Sequence, residues 1–152
     1  MRVLAEIARK EFPHWNKKII SDVELQNYCE TNGAVVVDHP TEHLGEYSLL
    51  NDKTPVIWID PSLSGGFRHY VFAHEVGHFL YRHPFPQKFR LSLNQEHLFL
   101  EKLDFQADFF ATIALVPKPE LKIKSLGELA EEYGYSKEML WIRKEIYERY
   151  KL

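Results

Sequence analysis

The segment from Ser64 to Arg82 constrains the fold most, because it has the pattern of an apolar helix with ionisable side chains in its middle. His74, Glu75 and His78 are surrounded by residues suited to a protein core: Tyr70, Val71, Phe72, Ala73, Val76, Phe79 and Leu80. Burying two histidines and a glutamate costs free energy unless something pairs with them. Gly77 costs a helix interior about 1 kcal/mol relative to alanine, which indicates that another backbone or a ligand comes close there.

The spacing of the two histidines predicts a metal site. His74 and His78 lie at positions i and i+4, so both imidazoles project from one face of the helix and can reach one ion. Zinc binds imidazole nitrogen at about 2.0–2.1 Å, and two such ligands supply half of a tetrahedron. Glu75 follows the first histidine directly and flanks the ion, where it can act as a general base towards a water molecule.

The third ligand must come from another element, because a catalytic zinc has three protein ligands and an open position for water. A helix predicted over about 96–115 carries Asp104 and Asp108 at i and i+4 among Leu, Phe and Ala residues. Buried carboxylates need a partner, which a cation and its histidine ligands would provide. We assign Asp104 as the ligand and Asp108 as the acceptor for an imidazole N–H. The alternative is that both lie on the exposed side of the helix.

The rest of the chain predicts an α+β fold with helices segregated from strands. Helical spacing covers residues 1–12 and about 21–30. Three short extended runs then follow closely enough to predict a small, mainly antiparallel three-stranded sheet: 34–37, 43–51 and 55–60. Residues 87–95 have the composition of a polar connector. We find no linker that divides the chain, so a single domain over 1–152 is expected.

The C-terminal tail, residues 125–152, resembles a helix-turn-helix whose turn is Gly134-Tyr135-Ser136. Its second helix, 137–151, has five Lys or Arg residues against three Glu, and residues 126–135 add three more Glu. This is not the basic stripe that phosphate contacts need, so direct nucleic-acid binding is not favoured. Four residues of this helix have helical spacing, which favours core packing within the same domain: Met139, Ile142, Ile146 and Tyr150.

Composition limits the kinds of partner and the compartment that the protein can have. The net charge of −3 gives no global attraction to nucleic acid or an anionic membrane. Cys29 is the single cysteine, so no internal disulfide can form, which favours a reducing compartment. Charged residues lie near the N-terminus, in the region where a signal peptide would have an uninterrupted apolar run. No apolar run in the chain approaches the roughly 20 residues that span a membrane. We expect a cytoplasmic protein.

Two motifs together resemble a known family. The combination of AHEVGHFLYRH with a downstream DFQADFFATIALVP is similar to the ImmA/IrrE zinc metallopeptidases, over roughly residues 55–117. The second motif is matched at Ala107, Asp108, Phe110, Ala111, Leu115 and Pro117. The resemblance implies a minimal zincin-like domain, one zinc ion per chain and hydrolysis of peptide bonds. The family's glutamate ligand falls on Asp104, which is one methylene shorter; Glu101 is the alternative ligand if the register differs.

The sequence therefore predicts a zinc-dependent endopeptidase in which Glu75 activates water. The resemblance implies that its substrate is a specific intracellular regulatory protein, such as a repressor. One alternative is a weakly active or inactive metal-binding module of a phage, mobile-element or toxin–antitoxin system. Another is a DNA-associated regulator that uses the tail. A second oxyanion donor is expected, and four residues are candidates for it: His83, His97, Tyr81 and Arg143.

Overall fold

The computed structural model describes residues 1–85 and 93–152, and it describes side chains up to residue 85 and from residue 101 onward. In these ranges the helices are α1 (Arg2–Glu11), α2 (Asp22–Thr31), α3 (Gly65–Leu80), α4 (Leu93–Leu115), α5 (Lys118–Ile123), α6 (Leu126–Tyr133) and α7 (Lys137–Tyr150). The strands are β1 (Val35–Asp38), β2 (Gly45–Leu50) and β3 (Thr54–Ile59). Part of the predicted connector and the side chain of His97 lie outside the described residues.

The α+β class with a three-stranded sheet is confirmed, but the sheet is mixed where we expected mainly antiparallel pairing. β2 and β3 form an antiparallel hairpin, whose turn has Asn51 and Asp52 in the left-handed region at φ 52° and 56°. β1 pairs with β3 in parallel, so the strand order is β1-β3-β2. The difference arises because β3 lies between the two strands that precede it. Alternation of side chains predicts strands but does not specify which neighbours they pair with.

Helices α3 and α4 pack against each other more closely than ordinary side chains allow. A Cβ added at Gly77 would lie 2.9 Å from the Cα of Ala107 and 3.0 Å from its carbonyl oxygen. Real Cβ atoms do not approach other carbon atoms this closely, so only glycine permits the contact. The inference from Gly77 is therefore confirmed: the backbone that comes close is that of α4.

The N-terminal end of α3 is held by a second glycine contact. Gly65 has φ 58°, and a Cβ on Gly66 would lie only 2.0 Å from the carbonyl oxygen of Tyr133 at the end of α6. The C-terminal helices are thereby packed against the start of α3. This contact fixes the direction in which α3 leaves the loop after β3.

The C-terminal end of α3 is a Schellman motif. Arg82 is left-handed at φ 53°. The N–H of His83 donates to the carbonyl of His78 at 3.0 Å, and the N–H of Arg82 donates to that of Phe79 at 3.1 Å. This pair of bonds is the usual way to satisfy the last carbonyls of a helix. It also turns His83 back towards the helix that it follows.

The tail forms α6 and α7 as predicted. Ser125 and Glu128 form a capping box, Gly134 is left-handed at φ 70°, and Ser136 caps α7. Met139, Leu140 and Ile146 are buried in the core, which confirms the packing interpretation. α5 lies outside the helices that the sequence predicts, and Pro119 stands in its first turn, where proline is favoured. Within the described ranges, no helix is both long enough and apolar enough to cross a membrane.

We expect Gly77→Ala to lower the free energy of unfolding by about 1–3 kcal/mol, because α3 and α4 must separate to admit the methyl group. The matched control is Gly127→Ala in α6, where the added Cβ would meet only the Ser125 hydroxyl at 3.9 Å. Urea unfolding followed by circular dichroism measures both. Equal stabilities of the two variants would contradict the close contact.

Candidate metal centre

Three donor groups from two helices converge at one point. His74 and His78 of α3 and Asp104 of α4 each offer one ligand atom, and these atoms lie within 4.8 Å of one another. The two Nε2 atoms are 3.0 Å apart, and the Nε2 of His78 is 3.4 Å from an Asp104 carboxylate oxygen. The structure therefore brings together the three residues that the sequence assigned as ligands.

These donors fit a tetrahedral metal ion. Two nitrogens bound at 2.0–2.1 Å with a tetrahedral angle are about 3.3 Å apart, close to the 3.0 Å between the imidazoles. Two imidazoles and one carboxylate are a donor set typical of catalytic zinc. The site also attracts positive charge. Burial opposes a charged His74, but its hydrogen bond to Asp108 and the nearby carboxylates raise its pKa overall.

Asp108 orients the first imidazole. One of its carboxylate oxygens lies 2.7 Å from Nδ1 of His74 and also accepts a hydrogen bond from the Tyr70 hydroxyl. A carboxylate accepts, so Nδ1 of His74 carries the proton and its Nε2 faces the other donors. Such carboxylate–histidine pairs set the tautomer of metal-binding histidines.

A third histidine contacts the second imidazole. Nδ1 of His83 lies 2.9 Å from Nδ1 of His78, and its Nε2 lies 3.0 Å from the amide oxygen of Gln106. His83 is 5% exposed. Its burial, together with the nearby His78, lowers the pKa of His83 to about 4, so the ring is neutral at neutral pH.

Glu75 lies beside the donors at the wall of a cleft. The side chain is buried, and burial raises the pKa of its carboxyl against the opposing effect of the two histidines. β2 passes directly over it: a Cβ on Gly45 would lie 2.5 Å from Val71 and 3.1 Å from a Glu75 carboxylate oxygen. Glycine at position 45 therefore lets the strand approach the glutamate.

The cleft has a volume of about 940 Å³ and an apolar and acidic lining. Its apolar side chains include Leu44 and Phe67, which are 44% and 38% exposed. Glu46 in β2 and Glu42, which precedes this strand, also line the cleft, and both are exposed. Among the described residues that line it there is no lysine or arginine. The ring of Tyr47 stacks on His78 with centroids 6.5 Å apart.

The remaining sequence candidates lie elsewhere or are already engaged. Glu101 is exposed and is not one of the three converging donors. The Tyr81 hydroxyl donates to the carbonyl of Leu4, and Arg143 is buried where it donates to the carbonyl of Val116. His83 contacts His78 and Gln106 with its two nitrogens.

Sequence reasoning missed two residues that contact the donors or their partners. Tyr70 precedes His74 by four positions, so helical spacing alone could have placed it on the same face. Gln106 stands between Asp104 and Asp108, and its role depends on where His83 lies. No local pattern reports that position, because His83 reaches Gln106 only through the fold.

Comparison with known proteins agrees with this geometry. No curated protein and no solved structure matched the chain. The family model of Peptidase_M78, the IrrE N-terminal-like domain, matches residues 29–144. This range contains the sheet, both donor-bearing helices and most of α7. The chain therefore belongs to the IrrE-type Peptidase_M78 family of zinc metallopeptidases, hydrolases that act on peptide bonds.

Proposed function

We propose that the protein is a zinc-dependent endopeptidase in which His74, His78 and Asp104 hold the ion and Glu75 is the general base. The observation that carries the proposal is the convergence of two imidazole nitrogens and a carboxylate oxygen, within 4.8 Å of one another, at the wall of a cleft of about 940 Å³. A zinc ion held by these three residues would supply Lewis-acid chemistry, lowering the pKa of a water molecule and polarising the peptide carbonyl.

The protein's own groups carry the proton. Glu75 is buried beside the donors, and the raised pKa of its carboxyl makes it a better proton acceptor than an exposed glutamate. It takes a proton from the attacking water and delivers it to the leaving amine. Asp108 holds His74 in the required orientation throughout, since their hydrogen bond does not involve the reacting atoms.

β2 offers a guide for the substrate. It is an edge strand of the described sheet, and its residues Gly45, Glu46 and Tyr47 line the cleft. An extended peptide that pairs with such an edge gains main-chain hydrogen bonds without regard to its sequence. A segment bound this way would run past Glu75 and the converging donors, which supports cleavage within a chain.

The cleft lining favours a segment that combines apolar and basic side chains. Leu44 and Phe67 present apolar surface, while Glu42 and Glu46 contribute negative charge. The resemblance to the ImmA/IrrE peptidases supports an intracellular regulatory protein, such as a transcriptional repressor, as the natural substrate. A narrow substrate range would also protect other proteins that share a compartment with a peptidase.

A non-catalytic regulatory module is the second candidate, and one observation favours it. The side chain of Asp104 is 58% exposed. A short, exposed carboxylate is a weaker third ligand than the family's glutamate. In that case the metal would serve structure or signalling, and hydrolysis would not be the function.

We expect Glu75→Gln to keep its zinc but to lose peptide hydrolysis by about 10²–10⁴-fold, the usual contribution of a general base. Mass spectrometry of a peptide library measures cleavage, and elemental analysis measures zinc. Glu6→Gln on the exposed face of α1 is the matched control. A Glu75→Gln protein that retains zinc and full biological effect would leave the regulatory module as the function.

We expect Asp104→Ala to weaken zinc binding by more than about 100-fold, beyond the effect of outer residues. Asp104→Glu should retain the metal, because it restores the carboxylate that the family uses. Glu101→Ala, one helical turn away, is the matched control and should bind as the wild type does. Competition with a chelator measures all three. Loss of zinc in Glu101→Ala but not in Asp104→Ala would move the third ligand to Glu101.

We expect peptides with a lysine near the cleaved bond to be hydrolysed faster than the same peptides with glutamate. An exposed ion pair contributes about 0.2–1 kcal/mol, so the preference should be up to about fivefold per charge. The Glu42→Gln, Glu46→Gln double variant should lose this preference while still cleaving uncharged peptides. Rising ionic strength should weaken it in the wild type. A preference that survives the double variant would locate its origin elsewhere.

A further inference from the structure

We propose that Gln106 and His83 are positioning residues of the metal centre, which together hold His78 in the tautomer that presents a free Nε2 lone pair to the ion. The proposal rests on the assignment of His78 as a ligand. Two residues that do not touch the metal would thereby determine whether Nε2 of His78 is free to bind it.

The three side chains form an unbroken chain of short contacts. The Gln106 amide oxygen lies 3.0 Å from Nε2 of His83, and Nδ1 of His83 lies 2.9 Å from Nδ1 of His78. The other nitrogen of His78 then faces His74 and Asp104. Each nitrogen of both rings therefore has a defined neighbour.

Hydrogen-bond direction along this chain follows from the first contact. An amide oxygen only accepts, so Nε2 of His83 carries its proton. In a neutral imidazole one nitrogen donates and the other accepts, so Nδ1 of His83 is then an acceptor. Nδ1 of His78 then donates to this acceptor. The Nε2 atoms of His78 and His74, which are 3.0 Å apart, then present their lone pairs to the same point, an arrangement that a cation between them stabilises. With its proton on Nδ1, neutral His78 has a free lone pair on Nε2, as a metal ligand requires.

The end of α3 places His83 for this task. The Schellman bonds from His83 and Arg82 fold the chain back at the last turn, five residues after His78. The two imidazoles then meet with ring centroids 4.9 Å apart and planes at 79°, so that one Nδ1 points at the other. This arrangement depends on α3 ending where it does.

The two ligand histidines are therefore oriented by different chemistry. His74 is paired with the carboxylate of Asp108, which can only accept in its ionised form. The tautomer of His78 depends, through His83, on the neutral amide of Gln106, which has an acceptor on one side and a donor on the other. If the Gln106 amide were turned by 180°, every proton along the chain would shift and Nε2 of His78 would be protonated. The surrounding residues thus determine whether Nε2 of His78 has a free lone pair for the metal.

The test compares an acceptor-only and an apolar replacement of similar size. Gln106→Glu keeps the acceptor and should bind zinc at least as tightly as the wild type. Gln106→Met removes it and should weaken zinc binding by about 10–100-fold, the range typical of residues behind a metal ligand. Zinc affinity is measured by chelator competition, with thermal unfolding of the metal-free proteins to show that each is folded. Gln26→Met on the exposed side of α2 is the matched control.

A double-variant cycle separates proton direction from simple attraction of a carboxylate for zinc. In a His83→Phe background the chain is broken, so Gln106→Glu and Gln106→Met should bind zinc equally. A difference between them that persists without His83 would show that charge alone acts, and would overturn the proposal. Equal zinc binding by the two variants in the presence of His83 would overturn it as well.

The tautomer can be observed directly in the metal-free wild type. Nitrogen-15 NMR of the imidazoles should show His78 protonated at Nδ1 and His83 at Nε2, and Gln106→Met should alter this pattern. A His78 proton on Nε2 in the wild type would contradict the proposal without any variant. Neither affinity nor NMR requires peptide hydrolysis. Failure of this proposal is therefore distinct from a Glu75→Gln result that excludes endopeptidase activity.

Discussion

The close approach of α3 and α4 at Gly77 and Ala107 is the contact on which the metal centre depends. Two donors lie on one helix and the third on the other, so their separation is set by how near the two backbones come. Asp104 has a short side chain and cannot compensate for a wider gap. Any side chain at position 77 would push the helices apart, so glycine is required at this position for the three donor groups to meet.

Around this contact the fold arranges electrostatics that suit a cation. The carboxylates of Asp108 and Glu75 lie close to the histidines in largely buried positions, where little water screens their interactions. β2 covers the base and leaves an open cleft beside it. The centre is therefore accessible to an extended chain on one side and held by packed helices on the other.

Local patterns predicted those features that depend only on the neighbours of a residue along the chain. The i, i+4 spacing placed His74 and His78 on one face, and two carboxylates on an apolar helix indicated the second donor element. The turn of the tail was likewise predicted from Gly134 and Ser136. The parallel pairing of β1 with β3 was not predicted, because the alternation of side chains along a strand is the same whichever strand lies next to it.

The sequence by itself determined that two imidazoles and a glutamate would lie on one apolar helix, and that carboxylates on another would need a positive partner. Only the tertiary structure decided which carboxylate reaches the imidazoles, how close the helices lie and which residues direct the protons of His78. The physical reason is the separation along the chain of the residues that interact. Helical periodicity fixes positions within a few residues, whereas Gln106 and His83 meet across 23 positions of the chain, through packing that no local pattern encodes.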